Sequence, residues 1–297
     1  MTLSAAQHAA RSARLGGSDT AAALGMSRYK TAYQLYLEKR GETPISIEET
    51  NAIRMGRLLE PVVRQVYSDD TGYVVRAPDT LFHPTYDWMV AHIDGVVVEH
   101  DRGWEGKSCA VPHFEEWGEQ GSDEVPQEYI LQLQKYLIVT GLPMWDLSVI
   151  TGRFTVRHYT IHADSELQRL IIDGEAEFIE RVRSGNPPPL DYKHRTALEL
   201  LKAVYPGTNG ARIEATEEMI ACRAHLDAAN DAIKTAKGVV DEMKARLLDF
   251  MGEAALLCFR DGKCFRRQKQ NRAAYSVDAT SFIACRFIHD PTGTRRK

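Results

Sequence analysis

The segment Met89-Val90-Ala91-His92-Ile93-Asp94-Gly95-Val96-Val97-Val98, with Gly103-Trp104-Glu105-Gly106-Lys107-Ser108 just beyond it, decides how the chain is read. The first piece is rich in β-branched residues, and the second carries Trp104. Asp94-Gly95 and Asp101-Arg102-Gly103 have turn chemistry, so the pieces read as short strands. Asp94, Glu105 and Lys107 fall at or near the strand ends. Side chains of a strand alternate between faces, so Glu105 and Lys107 point the same way. Mg²⁺ prefers carboxylates, carbonyls and waters. Asp94 and Glu105 are therefore candidate ligands for a divalent metal. Gly106 leaves room and offers its carbonyl. Lys107 is placed to orient or help deprotonate a water and to balance phosphate charge in a phosphodiester hydrolysis.

Working outward, the strands extend to a meander of Tyr73–Arg76, Thr80–His83, Trp88–Ile93, Val96–Glu99 and Gly103–Ser108. Upstream, Gly16-Gly17-Ser18-Asp19 reads as a turn and N-cap for a helix over Thr20–Leu24, ended by Gly25. Thr31 caps a helix over Ala32–Arg40. A longer helix runs from about Glu49 to Tyr67, and Pro61 should bend it near Glu60. Downstream come a helix over Pro126–Thr140, a hairpin of Trp145–Thr151 and Phe154–Ile161 turning at Gly152-Arg153, and an amphipathic helix over Ala163–Ser184. Helices, a sheet, then helices indicate an α/β or α+β fold with a mixed sheet flanked by helices.

Asn186-Pro187-Pro188-Pro189 breaks the chain and marks the expected boundary between residues 1–190 and 191–297. Past it, Thr196–Tyr205 is a short helix. In Thr216–Met251 the residues Met219, Cys222, Leu226, Ala229, Ile233, Ala236, Val240, Met243, Leu247 and Phe250 recur at alternating spacings of three and four, a heptad seam on one long helix that its alanines and Gly238 weaken; packing on the first part, folding back on another helix and pairing between chains all stay open. Ala255–Phe259 and Cys264–Gln268 form a hairpin at Asp261-Gly262.

Hydrophobic residues make up 43% of the chain, enough for a sizeable core. No apolar run approaches the ~18 residues of a membrane span, and the N-terminus has no secretory h-region. The five cysteines are irregularly spaced with no CxxC pair, which indicates reduced thiols and a cytoplasmic protein. The net charge is −4, but acids dominate through residue 192 and bases from 193 onward. Such a split suggests two parts with different roles.

Two further elements join the acid–lysine strand. Gly56-Arg57-Leu58-Leu59-Glu60-Pro61 puts an acid upstream of the sheet. Gln132 and Tyr136 stand i,i+4 on the following helix and share a face. In this order the motifs resemble those of the PD-(D/E)XK nucleases, whose core is restriction-endonuclease-like, and Gln132-Leu133-x-x-Tyr136 resembles the RecB-type element. Within that superfamily the chain is similar to the YqaJ-like viral recombinases and the phage lambda exonuclease family, over about residues 8–185. Arg11-Ser-Ala-Arg14-Leu15-Gly-Gly-Ser18-Asp19 looks like the family's opening motif, with Leu15 in place of Ile.

The resemblance implies Mg²⁺-dependent exonuclease action on linear double-stranded DNA ends, commonly 5′→3′, with Mn²⁺ able to substitute. It exposes 3′ strands for phage-type recombination in a bacterial host. It also implies a ring trimer and a single-strand annealing protein as partner. Carried over by motif, Asp94 and Glu105 bind metal, Glu60 holds a second metal or its water, Lys107 serves the nucleophile, and Gln132 supports the network. Arg11 and Ser18 bind the 5′-phosphate, with Arg14 the rival to Arg11. Arg28, Tyr29, Lys30 and Tyr136 are further candidates for DNA contact.

Arg260, Lys263, Arg266, Arg267, Lys269 and Arg272 make the tail hairpin a candidate for phosphate contact. Two other readings stay open: a RecB-type, Cas4-type or restriction-like nuclease, and a non-catalytic DNA-binding scaffold. The iron–sulfur cysteines of the Cas4 type are absent. The intact Asp94, Glu105 and Lys107 set argues against the scaffold.

Overall fold

Alternation along Trp104-Glu105-Gly106-Lys107 organises the molecule, because the two faces of this strand meet two different helices. The computed structural model describes residues 14–42, 50–109, 116–151 and 154–269. Arg11, Gly152-Arg153 and Arg272 lie outside the described residues. In chain order the elements are α1 (Gly17–Ala23), α2 (Ala32–Arg40), α3 (Asn51–Thr71), β1 (Val75–Arg76), β2 (Leu81–Phe82), β3 (Val90–Ala91), β4 (Gly95–Val97), β5 (Arg102–Cys109), α4 (Gln127–Thr140), β6 (Met144–Thr151), β7 (Val156–His162), α5 (Ser165–Ser184), α6 (Ala197–Val204), α7 (Glu217–Met251), β8 (Leu256–Cys258) and β9 (Cys264–Arg266).

The expected mixed sheet is present, with order β1-β4-β5-β6-β7. β5 and β6 run parallel, from Arg102 opposite Met144 to Cys109 opposite Thr151, and the other pairings are antiparallel. A parallel pair needs a crossover, and α4 supplies it. The continuous meander is not found. β2 and β3 leave the sheet and pair with each other, so β4 finds β1. Met89, next to β3, bridges in parallel to Leu15, which draws that ribbon toward the start of the chain.

α3 covers one face. Val63 and Tyr67 pack with Val97, Trp104 and Ile150. The helix runs unbroken through Pro61 and ends at Gly72, which takes a left-handed φ of 75°. The Trp104 indole donates to Ser148 Oγ, and the Tyr67 hydroxyl donates to Asp146 Oδ2, so these two buried aromatic polar groups under α3 are bonded. α4 covers the other face, where Leu133, Tyr136 and Leu137 meet Trp145, Leu147, Val149, Tyr159 and Ile161.

A third cluster joins Leu15, Leu35, Tyr36, Phe178, Ile179 and Leu200 beside the sheet. α1 begins at Gly17, three residues before the expected start at Thr20. Asp19 therefore sits inside the first turn, where its carboxylate accepts from Gly16 N and from Lys39 Nζ. Beneath α1, the fully buried Lys135 and Glu175 form an ion pair, and the Thr20 hydroxyl donates to Glu175 Oε1 over 2.8 Å.

The chain divides into two compact units, Met1–Pro206 and Gly207–Lys297. The division falls after Pro206 and not after residue 190, because α6 buries Ala197 and Leu200 in the first unit. In the second unit, Thr216 caps α7 by accepting from Met219 N. Only Met251 of that helix is buried. β8 and β9 form the expected hairpin, with Gly262 at a φ of 83°. They place Cys258 opposite Cys264 with the sulfurs 2.7 Å apart, a pairing the irregular spacing had hidden.

Candidate active site

Because β4 and β5 are antiparallel neighbours with Gly95 opposite Trp104, Asp94 stands beside the middle of β5. Its Oδ2 accepts from Gly106 N over 3.0 Å. Glu105 is 3% exposed and Lys107 Nζ lies 2.5 Å from its Oε1. The same oxygen accepts from Gln132 Nε2 over 2.8 Å. Four of the expected residues, Asp94, Glu105, Lys107 and Gln132, thus form one connected group. Gly106 has a different reason to be glycine than the room foreseen for it. A Cβ there would lie 2.8 Å from the Trp104 ring, so the indole fills the space.

Glu60 reaches the site through a residue the sequence reading missed. One nitrogen of Arg64 donates to Glu60 Oε1 and to the Asp94 carbonyl, both over 3.0 Å. Its guanidinium also lies over Trp104, 5.4 Å from the ring centroid. The available signal was the i,i+4 spacing of Glu60 and Arg64 on a helix face. Tyr129 was also missed. Its ring centroid is 5.6 Å from Lys107 Nζ, near enough for a cation–π contact.

Tyr136, expected at the DNA, faces inward and is 3% exposed. Its hydroxyl accepts from Gln132 Nε2 over 2.7 Å and donates to the His92 carbonyl. It holds Gln132, which in turn holds Glu105. Gly17 packs against the same ring, where a Cβ would come within 2.5 Å of Cε1. Arg28, another candidate for DNA contact, is paired with Glu116 at 2.6 Å and with Glu128 at 2.7 Å. Lys30 pairs with Glu38. Arg14 donates to the Asp87 carbonyl and lies over Phe82. Ser18 is exposed in the first turn of α1.

The electrostatics follow from crowding acids at a partly buried place. Burial, and then the Glu105 carboxylate, push the Asp94 carboxyl well above its usual range, and Glu60 adds to this; Lys107 and Gly106 N oppose it. Burial works against the Lys107 charge, but Glu105 and Asp94 outweigh it, and the ammonium is held protonated above its ordinary range. Lys107 in this arrangement is a donor and a counter-charge.

Among the described residues, no three His, Cys, Asp or Glu side chains gather as a metal cage. Mg²⁺ does not require one, since it keeps several waters and takes one or two carboxylates. Glu105 Oε2 is buried and has no hydrogen-bond partner among the described residues. A buried carboxylate oxygen left open, beside a second acid that resists ionisation, fits a divalent cation at Asp94 and Glu105.

A mixed sheet between α3 and α4, with Asp94, Glu105 and Lys107 around its central strand, defines a protein of the PD-(D/E)XK fold class. Residues 7–143 match the model of the YqaJ-like viral recombinase domain, a likeness that takes in a little under half of the chain. The YqaJ protein of Bacillus subtilis (strain 168) is 33% identical over 208 residues, which take in 68% of this chain and 64% of that protein. The match therefore spans slightly under two thirds of that relative's length. The alkaline exonuclease LHK-Exo from Laribacter hongkongensis superposes with a TM-score of 0.50 at 23% identity, covering 65% of this chain and 97% of its own. Its complex with dAMP superposes with the same TM-score at 22% identity and the same coverage. At these identities the likeness is one of fold.

Proposed function

We propose that the chain is a divalent-metal-dependent exonuclease that hydrolyses linear double-stranded DNA from its ends, 5′→3′, and leaves 3′ strands for recombination. The observation that carries this reading is the open Glu105 Oε2 beside Asp94. Acids held this close, with one oxygen unpartnered, suit a site completed by a cation and a phosphate. The YqaJ-like family and the fold shared with a protein described as an alkaline exonuclease point the same way.

Asp94 and Glu105 would hold Mg²⁺, or Mn²⁺ in its place, with Glu60 available to a second ion or its water. The ion supplies Lewis-acid neutralisation of the phosphate's charge. The protein's own residues do the rest. Lys107 donates a hydrogen bond toward the attacking water or a phosphate oxygen and balances negative charge. Gln132, braced by Tyr136, fixes the orientation of Glu105. Arg64 links Glu60 to the Asp94 main chain, so the two arms of the site move together. Ser18, with Arg11 or Arg14, would receive the terminal 5′-phosphate. A ring trimer and a single-strand annealing protein complete the proposal as assembly and partner.

The test is digestion of end-labelled linear duplexes, with and without a 5′-phosphate, in Mg²⁺ and in EDTA. The expected result is Mg²⁺-dependent loss of the 5′ label as mononucleotides, faster on phosphorylated ends and abolished by EDTA. Intact duplex in Mg²⁺ would overturn the reading. Release from the 3′ end would overturn the polarity. Arg11→Ala should weaken the preference for phosphorylated ends, and an unchanged preference moves that role to Arg14 or elsewhere.

A further inference from the structure

Among the described residues of its own unit, nothing covers the apolar seam of the long helix α7 along its length. Ile233, near its middle, is 66% exposed, and Phe250, at one end, is 79% exposed. Thirty-five residues of helix with one buried side chain place most of their apolar surface in water. That surface requires a long helical partner. Its sequence states which one.

The seam has large residues at one heptad position and mostly small ones at the other. Met219, Leu226, Ile233, Val240 and Leu247 hold the first set; Cys222, Ala229 and Ala236 lead the second, which ends in Met243 and Phe250. In a parallel pair each residue meets its own copy, so Ala229 would face Ala229 and Ala236 would face Ala236, leaving voids. In an antiparallel pair the first set meets the second. With the twofold axis between Ile233 and Ala236, the layers become Ile233 on Ala236, Val240 on Ala229, Leu247 on Cys222, Leu226 on Met243 and Met219 on Phe250. Each of the three small residues then receives a large one, and the helix ends meet in flush register. Gly238 falls on the outer face of this arrangement, where a Cβ would meet nothing within 4 Å.

Charge favours the same orientation. The first half of the helix carries Glu217, Glu218, Asp227 and Asp231 against Arg223. The second half carries Lys234, Lys237, Lys244 and Arg246 against Asp241, Glu242 and Asp249. The two halves carry net charges of −3 and +1, and Glu217 and Asp231 share the outer position of Gly238, so the charge acts at long range and adds an orientation preference to the packing of the seam. We infer that α7 is a self-association helix, pairing antiparallel with α7 of a second copy of this chain about a twofold axis between Ile233 and Ala236. This pairing is independent of the nuclease reading, since none of the proposed catalytic residues lies in the second unit.

Ile233→Asp in the full chain tests the association. The side chain is exposed, so the variant keeps its fold, and the helical circular dichroism should stay close to that of the wild type. The mass from sedimentation equilibrium should fall twofold. For monomeric first units the dimer becomes a monomer, and for the proposed ring trimers two rings joined through their α7 pairs become single rings. Leu247→Cys tests the orientation. With oxidised glutathione, native Cys222 of one copy should link to the new thiol at position 247 of another, identified by peptide mass mapping. A mass unchanged by Ile233→Asp overturns the proposal. So does a Cys222–Cys222 link between wild-type copies, which marks a parallel pair.

Discussion

At the scale of single residues, the proposed activity depends on a few side chains whose contacts separate their roles. Lys107 touches Glu105 and faces the open side of the site, so its ammonium is placed to stabilise charge in the reaction. Lys107→Ala should lower the cleavage rate by about 10²–10³-fold, the usual cost of one preorganised donor. Binding of duplex DNA measured in Ca²⁺ should change little. Full cleavage by this variant would remove the lysine from the mechanism. Gln132 acts one step further back, through Glu105. In Gln132→Leu the carboxylate loses a donor, and half-maximal activity should need about 10–100-fold more Mg²⁺. Saturating Mg²⁺ should restore most of the rate, which a collapsed site would not allow. Much of this group was legible in the sequence. Strand alternation puts Glu105 and Lys107 on one face, and Gln132 with Tyr136 stand i,i+4 on the helix that follows. Tyr136 shows the limit. Spacing of i,i+4 says that Gln132 and Tyr136 share a face but not whether that face looks toward solvent or core. Arg64 was missed for a related reason, because its second partner is a main-chain carbonyl on another element and carries no side-chain signature.

At the scale of elements, helices were read more closely than strand pairings. α2 was expected at its observed bounds because Thr31 and Gly41 announce its ends locally. The sheet order depends instead on contacts between distant segments. β5 pairs with β6 across the whole of α4, and β2 and β3 pair outside the sheet. Local composition is the same in either arrangement, so the meander was the simplest reading and a wrong one. What fixes α1, α4 and α5 together was invisible for another reason: no local spacing sets Lys135 and Glu175 apart from the other polar residues of two helices. Their burial pushes the Glu175 carboxyl up and the Lys135 ammonium down, so each needs the other's charge. Lys135→Met alone should destabilise the protein by about 3–5 kcal/mol, because it leaves Glu175 buried without a cation. The double variant Lys135→Met with Glu175→Leu should recover most of that loss. Urea unfolding of the set provides the measurement. A double variant as unstable as the single one would show that the pair is not coupled in this way.

At the scale of the whole molecule, the question is where the proposed catalytic unit ends. The proline run after Asn186 looked like the boundary, since prolines stop a helix and often begin a linker. The chain nevertheless returns to the first unit beyond it. Leu200 is 1% exposed in the cluster with Leu35 and Phe178, and His194 Nε2 lies 3.0 Å from the Ser27 carbonyl just past α1. Cutting after residue 190 would uncover that cluster and free the segment just past α1, the helix whose first turn carries Ser18. Residues 1–206 alone should therefore unfold in one cooperative step and retain Mg²⁺-dependent cleavage. Residues 1–190 should be less stable by at least the loss of one buried leucine, about 2–5 kcal/mol. They should also lose discrimination between phosphorylated and unphosphorylated ends before they lose cleavage, because Asp94, Glu105 and Lys107 sit on the sheet and Ser18 sits on α1. Urea midpoints and end-labelled digestion of both fragments measure the two effects. Equal midpoints would place the boundary at the prolines after all.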